Sequence, residues 1–211
     1  MIYQKTDPEK LSGGCNVIEL EKKILLTRDQ YTYLLNLFGD NKPIIKQVNY
    51  YFDTDDLSMN RQNTTCRIRL KDGRYMGTVK RHMSNSDCST EVEVDVHNGV
   101  YDNTFTDMGL KLQGELITER CVILRNHVCE VVLDKNEYLG HTDFEMEIEY
   151  EASFEQQAIR VFDMIRECLM KNFSDSQFSV IDNFNHKVPS KSKRFFDLKY
   201  TTRTKVDPKR I

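Results

Sequence analysis

The sequence predicts an α+β domain: an eight-stranded antiparallel closed β-barrel with a charged interior, covered outside by a few α-helices. Two observations support this prediction. Eight segments of strand length alternate charged with apolar residues at a period of two. Two other segments repeat apolar residues at helical spacing and therefore need an apolar surface against which to pack.

Composition and charge narrow the class of protein. The 211 residues are 39% hydrophobic and include 10 Tyr and 11 Phe, enough for a folded core. A formal net charge of -3 argues against general attraction to nucleic acid. No apolar run is long enough for a membrane span or a signal peptide. The six cysteines contain no Cys-x-x-Cys pair, which favours reduced thiols. We therefore expect a cytoplasmic protein without nucleic-acid or membrane partners.

The first strand and the first helix follow directly from local signals. Residues Val17–Leu26 alternate with strand periodicity. Thr27, with Gln30 three residues later, is typical of a capping box, and Gly39 ends the helical spacing that follows.

Short alternating segments predict the remaining strands. They are residues 46–52, 65–70, 75–81, 90–96, 116–124, 128–134 and 143–151. Asp72-Gly73 predicts a hairpin turn between two of them, whereas residues 98–114 predict a loop with one helical turn.

The second helix is predicted to begin with a capping box of Ser153 and Gln156 and to run to about residue 171. A short helix is expected after Pro189-Ser190, and residues 199–211 are expected to be a solvated basic end. The predicted organisation is an N-terminal lead-in over 1–16, a barrel domain over 17–195 and a basic C-terminal tail over 196–211.

Each strand has one charged and one apolar face. The usual interpretation turns the charged face to water. Here, however, acids cluster on some strands and bases on others with few neutral polar residues between them, and the helices need the apolar faces. We therefore predict that the charges point inward. The interior acids would include Glu19, Glu21, Glu91, Glu93, Glu145, Glu147 and Glu149.

An interior with both signs of charge needs a ligand that satisfies both. Seven basic residues suit a chain of phosphates: Lys23, Arg67, Arg69, Lys80, Arg120, Lys191 and Arg194. Carboxylates next to phosphate require a cation between them, and oxygen ligands without clustered His favour Mg²⁺ or Mn²⁺. The pattern thus predicts a small-molecule triphosphate substrate and phosphoryl transfer to water.

The order and spacing of these motifs resemble the CYTH superfamily, the triphosphate tunnel metalloenzymes, and most of all the bacterial branch often labelled "putative adenylate cyclase". The resemblance covers nearly all of residues 17–195. It rests on Glu19-Leu-Glu21-Lys-Lys23, Tyr51-Phe-Asp-Thr54, Arg67-Ile-Arg69, Thr78-Val-Lys80, Glu91-Val-Glu93, Arg120, Leu133-Asp134, Leu139-Gly140, Glu145-Met-Glu147-Ile-Glu149, Ser190-Lys191 and Arg194.

The resemblance implies a role for each charged residue. The metal ligands would be Glu19, Glu21, Asp134, Glu145, Glu147 and Glu149. Phosphates would be held by Lys23, Arg67, Arg69, Lys80 and Arg120, and Lys191 or Arg194 would bind substrate and close one tunnel mouth. Glu91 or Glu93 would orient these bases or position water. Direct catalytic roles fall to Glu21, Lys23 and Arg120.

Several functions remain open at this point. The leading hypothesis is a metal-dependent triphosphatase acting on inorganic tripolyphosphate or a nucleoside triphosphate. The alternatives are a class IV-type adenylate cyclase, a thiamine triphosphatase and a non-catalytic polyphosphate-binding sensor. A cyclase would need a nucleoside pocket; Tyr50, Tyr51 and Phe52 could stack a base, but an aromatic strand more often belongs to a core. The sequence selects neither the substrate, the metal nor the oligomeric state.

Overall fold

The computed structural model describes residues 17–82, 88–173 and 188–206, with side chains for all of these except 17–19, 82, 88–89 and 203–206. No helix in this part of the chain is both long and apolar enough to cross a membrane.

The described residues form eight strands and five α-helices. The strands are β1 (Val17–Leu26), β2 (Ile44–Asp53), β3 (Thr64–Lys71), β4 (Arg74–His82), β5 (Cys88–Asp95), β6 (Lys111–Arg125), β7 (Cys129–Tyr138) and β8 (His141–Tyr150). The helices are α1 (Arg28–Phe38), α2 (Ser58–Arg61), α3 (Asn103–Thr106), α4 (Glu155–Asn172) and α5 (Lys191–Val206). Single 3-10 turns precede α3 and α4, at Gly99–Tyr101 and Ala152–Phe154.

Every strand pairing is antiparallel, and the hydrogen-bonded order is β1-β5-β4-β3-β2-β6-β7-β8. β1 pairs with β8 from Leu20 to Leu26 and with β5 from Val17 to Leu20, so that the order returns to its starting strand. The β1–β5 join is short, with four residue pairs against seven between β1 and β8. The prediction of eight antiparallel strands accompanied by a few helices is confirmed.

Local signals set the boundaries of β1, α1 and the β3–β4 hairpin. The Thr27 hydroxyl accepts a hydrogen bond from the Gln30 backbone at 3.2 Å, and the Gln30 side chain accepts one from Thr27 at 2.9 Å. The Gly39 backbone N–H donates to the Leu35 carbonyl at 2.8 Å and ends the helix. Asp72 and Gly73 both have positive φ, 51° and 73°, as a tight hairpin turn requires. These predictions are confirmed.

Two predicted boundaries are wrong. β6 begins at Lys111 instead of residue 116, because Gly114 at φ 146° lets the strand continue through an irregularity beside Tyr51 and Phe52 of β2. The second capping box is absent: Ser153 lies inside a 3-10 turn and α4 starts after Phe154, which provides no side-chain cap.

The basic end is also more ordered than predicted. Residues 199–206 of the expected solvated tail belong to α5. The helix is long because Phe195 and Phe196 in its second turn are buried against the strands, and because the Lys199 amino group donates to the Gln113 carbonyl of β6. Residues 207–211 and the lead-in over 1–16 lie outside the described residues.

The largest apolar core lies between the sheet and helices α1 and α4. Met146 and Ile148 of β8 belong to this core together with Phe162 and Leu169 of α4. Tyr31 of α1 packs on Phe144 of β8, with ring centroids 4.9 Å apart. Because neighbouring residues of a strand point to opposite faces, the charged residues that alternate with Met146 and Ile148 must face the interior of the barrel.

We expect Phe162→Ala to lower the free energy of unfolding by about 3–5 kcal/mol, because it leaves a cavity under α4. Phe162 is 1% exposed, whereas Met164, two residues later, is 66% exposed. Met164→Ala is therefore the matched control and should change the free energy by less than about 0.5 kcal/mol. Urea unfolding followed by circular dichroism measures both. Equal effects of the two substitutions would show that α4 does not pack as described.

Candidate active site

The sheet register brings interior acids and bases from separate strands opposite one another. Lys23 of β1 lies opposite Glu147 of β8. Asp134 of β7 lies opposite Arg120 of β6 on one side and Glu145 of β8 on the other. Residues directly opposite in antiparallel strands share a face, so these five side chains form one continuous patch on the inner surface.

Three buried carboxylates form the centre of this patch. Asp134, Glu145 and Glu147 are 0%, 0% and 4% exposed. One carboxylate oxygen from each lies within 4.8 Å of the other two. We call this group the acid triad. Buried like charges at such separations are costly unless cations lie among them.

Four basic side chains surround the acid triad. Arg120 donates to Asp134 at 2.9 and 2.7 Å and to Glu147 at 2.9 Å. The Lys23 amino group donates to Glu147 at 3.0 Å and lies 2.7 Å from Glu21.

The other two of these bases come from α5. The Lys191 Nζ lies 2.9 Å from Asp134 and 3.1 Å from Glu147, and it also contacts Glu145. Arg194 donates to Glu145 at 2.6 Å and to both oxygens of Asp143, at 2.9 and 3.2 Å.

Burial and neighbouring charge act in opposite directions on these acids. Burial would raise the pKa of Glu145, but Lys191 and Arg194 outweigh it and lower the pKa to about 2. Burial raises the pKa of Glu21 to about 7, with Glu147 adding to this and Lys23 opposing it. The basic neighbours thus favour the ionised form of Glu145, whereas burial favours the protonated form of Glu21 beside it.

The opposite wall of the barrel, formed by β3 to β5, carries Arg67, Arg69 and Lys80 on the same inner surface as Glu91, with the exposed Glu93 and Asp95 further along that face of β5. Arg67 donates to Glu91 at 3.0 Å, and the Lys80 amino group lies 3.4 Å from the same carboxylate. Arg69 donates to Asn49 at 2.9 Å and, among the described side chains, has no acidic partner within ion-pair distance. Burial lowers the pKa of Arg69 to about 9, and Arg67 and Arg120 add to this effect. A half-buried guanidinium without a carboxylate partner is well suited to bind an anion.

Helix α5 packs against interior-facing residues of the strands. Phe195 and Phe196 form an apolar cluster with Tyr51 of β2, Leu116 of β6 and Tyr138 of β7. The Phe195 ring lies 5.0 Å from the Tyr51 ring, centroid to centroid. This part of the interior is therefore filled by protein, and α5 holds Lys191 and Arg194 over the acid triad.

The structure also locates the remaining predicted residues. Glu149 is 39% exposed and lies 3.7 Å from Arg120. Glu93 shares the strand face of Glu91 but is exposed. Glu19 pairs with Ser89 through its backbone, and its side chain lies outside the described residues.

Sequence reasoning missed Asp143 and the aromatic pair of α5. Asp143 lies two residues before Glu145 on the same strand face, so the same alternation that identified the glutamates includes it. Tyr51 and Phe52, considered as base-stacking residues, belong to two apolar clusters.

Comparison with known proteins shows what this chain is similar to. Residues 17–175 match the family model of the CYTH domain. Over 175 residues the chain is 27% identical to a Bacillus subtilis (strain 168) protein named "Putative triphosphatase YjbK", covering 76% of this chain and 88% of that protein.

Two solved structures share the fold. One is a Bacillus halodurans protein described as a "putative adenylate cyclase". It has a TM-score of 0.60 at 24% identity, and the match covers 85% of this chain and 97% of the Bacillus halodurans chain. The other is HpAC1 from Hippeastrum, described as a "putative adenylyl cyclase" with a dominant triphosphatase activity. It has a TM-score of 0.54 at 18% identity, and the match covers 71% of this chain and 86% of HpAC1. At these identities both structures establish the shared fold alone.

We expect Glu21→Gln to stabilise the metal-free protein at pH values above neutrality. The pKa of Glu21 is about 7 when folded, against a usual 4.5, so the folded state binds more protons between these values. The stabilisation that the Glu21 carboxyl contributes is complete below pH 4.5 and is lost as the pH rises through about 7. In EDTA at about pH 8, the variant should therefore exceed the wild type by roughly 1–3 kcal/mol in free energy of unfolding.

The difference should shrink towards about pH 5, where the wild-type carboxyl is protonated in the folded state. Glu93→Gln, which removes an exposed carboxylate, is the control and should show no such trend. A Glu21→Gln protein that is less stable than the wild type at both pH values would contradict this account.

Proposed function

This chain belongs to the CYTH domain family, and on that premise we propose that it hydrolyses a small-molecule triphosphate with the help of a divalent cation. The observation that carries the proposal is the division of the barrel interior into two walls. One wall gathers the acid triad, and the other presents Arg67, Arg69 and Lys80, of which Arg67 and Lys80 contact the carboxylate of Glu91.

The acid triad fits a hard cation. It offers three buried carboxylate oxygens within 4.8 Å of one another and no nitrogen or sulfur ligand. Glu145 Oε1 is buried and accepts no hydrogen bond of normal geometry from the described residues, although the Lys191 amino group contacts it. We propose that Asp134, Glu145 and Glu147 hold Mg²⁺ or Mn²⁺, with Glu21 beside them and with Glu19 and Glu149 as further candidates. When bound, such an ion neutralises phosphate charge and favours attack by water.

The bases have a matching role in the proposal. Arg67, Arg69 and Lys80 would bind phosphate oxygens on one side, and Lys23 and Arg120 would stabilise charge on the transferred phosphoryl group from the other. Glu21 would orient the attacking water, and Glu91 keeps Arg67 and Lys80 in place. Lys191 and Arg194 are the last of the proposed substrate-binding bases along the chain. Their position supports residues 17–195 as the functional unit.

We favour inorganic tripolyphosphate or a nucleoside triphosphate as the substrate class. The named activity of YjbK supports hydrolysis of a triphosphate. The aromatic residues that could have stacked a base are packed inside apolar clusters. The described residues therefore offer a binding site for the phosphates of a substrate but no aromatic site for a base. A reaction at the triphosphate itself is therefore preferred to cyclisation of a nucleotide.

The proposal is tested by incubating purified protein with tripolyphosphate, ATP or thiamine triphosphate in Mg²⁺, Mn²⁺ or EDTA. Orthophosphate release that requires metal is the expected result. Cyclic AMP formation from ATP would show a cyclase instead. Tight binding of tripolyphosphate without turnover in either metal would show a sensor, and both of these results would overturn the hydrolase assignment.

We expect Glu147→Gln to lower kcat by about 100-fold or more, because the amide removes a negative oxygen from the proposed cation site and weakens the contacts of Lys23 and Arg120. Glu119→Gln on the neighbouring β6 is the matched control, since Glu119 is 41% exposed and pairs with Lys135. Steady-state phosphate release measures both, and circular dichroism checks folding. Near-normal turnover of a folded Glu147→Gln protein would remove Glu147 from the mechanism.

A further inference from the structure

The amino group of Lys191 lies where the proposed cation would bind. It is 2.9 Å from Asp134 and 3.1 Å from Glu147, and it contacts Glu145. It donates a hydrogen bond to Glu147 at that distance. All three members of the acid triad therefore share a single ammonium group as their common cation.

Helix α5 places this ammonium group through contacts that do not involve the triad. Phe195 and Phe196 are 0% and 1% exposed in their apolar cluster. The buried Ser192 hydroxyl lies 2.9 Å from the Thr65 hydroxyl of β3. Because the backbone is anchored on both sides of the interior, the flexible four-carbon stem of Lys191 can withdraw its charge without undocking the helix.

Arg194, one turn later, is held differently. Its guanidinium donates to both oxygens of Asp143 as well as to Glu145. Such a bidentate pair is geometrically fixed, and one of its partners lies outside the acid triad. Arg194 can therefore remain in place when the triad binds an ion, whereas the ion-pair partners of Lys191 among the described residues all belong to the triad.

We propose that Lys191 is a tethered cation that competes with the divalent ion for the acid triad, and that metal binding releases its ammonium group towards the substrate phosphates. The inference rests on the proposed function, since it requires a metal at the triad. An ammonium group and a divalent ion cannot occupy the same oxygens, because two cations at that distance repel strongly in a buried site. The same lysine would thus neutralise the acid triad in the absence of metal and later bind the phosphate.

The competition predicts opposite effects of one substitution on metal affinity and on turnover. In Lys191→Met the apolar stem remains but the charge is lost. Mn²⁺ should bind to the substrate-free variant roughly tenfold more tightly than to the wild type, as expected for loss of a coupled competitor. Turnover of tripolyphosphate should fall by roughly tenfold, because one phosphate-binding charge is missing.

Lys193→Met is the matched control. Lys193 lies on the same helix, is 47% exposed and pairs with Asp197 of the same helix. It should leave both Mn²⁺ affinity and turnover unchanged. Isothermal titration with MnCl₂ without substrate gives the affinity independently of activity.

The outcomes separate this inference from the proposed function. If the wild type binds no Mn²⁺, the metal-dependent function and the inference both fail. If the wild type binds Mn²⁺ and a folded Lys191→Met binds it equally or more weakly, the proposed function stands and the competition is wrong.

A second measurement on the unmodified protein covers the case in which Lys191→Met does not fold. An amine-acylating reagent followed by mass spectrometry reports which lysines are accessible. Lys191, protected by its three carboxylates, should react faster once Mn²⁺ is added, whereas Lys193 should react at the same rate with and without metal. Unchanged or slower labelling of Lys191 in saturating Mn²⁺ would overturn the inference.

Discussion

The structure depends on charge compensation inside the barrel. Three carboxylates are buried within 4.8 Å of one another, and each is held by basic side chains from other elements. A buried charge without a partner costs several kcal/mol, so neither the acids nor the bases could be placed there alone. This constraint turns the apolar strand faces outward, where α1 and α4 cover them and provide the largest hydrophobic core.

The compensation is unequal on the two walls of the interior, and this inequality is the basis of the proposed function. At the acid triad, protein cations fill the positions around each carboxylate. On the facing wall Arg69 has only an amide oxygen as a partner among the described side chains. The proposed ligand would bring a divalent ion that takes the place of the Lys191 ammonium group at one wall and anionic oxygens that meet Arg69 at the other. A triphosphate with a divalent ion has this composition.

Much of this arrangement was predictable from sequence because its signals are local or periodic. The capping box of Thr27 and Gln30, the Asp72-Gly73 turn and the alternation around Glu145 each determine structure within a few residues. The extent of α5 was not predictable in this way. Its stability comes from Phe195 and Phe196 meeting Tyr51 and Tyr138, residues that are distant in sequence. The early start of β6 likewise depends on a glycine conformation that pairing with β2 selects.

The most direct test of the account is a crystal structure of the protein with Mn²⁺ and a non-hydrolysable triphosphate analogue. The account predicts an anomalous Mn²⁺ peak among Asp134, Glu145 and Glu147, with phosphate oxygens in contact with Arg67, Arg69 or Lys80 inside the barrel. Binding of the analogue only on the outer surface, with the acid triad still closed by protein cations in saturating Mn²⁺, would contradict it.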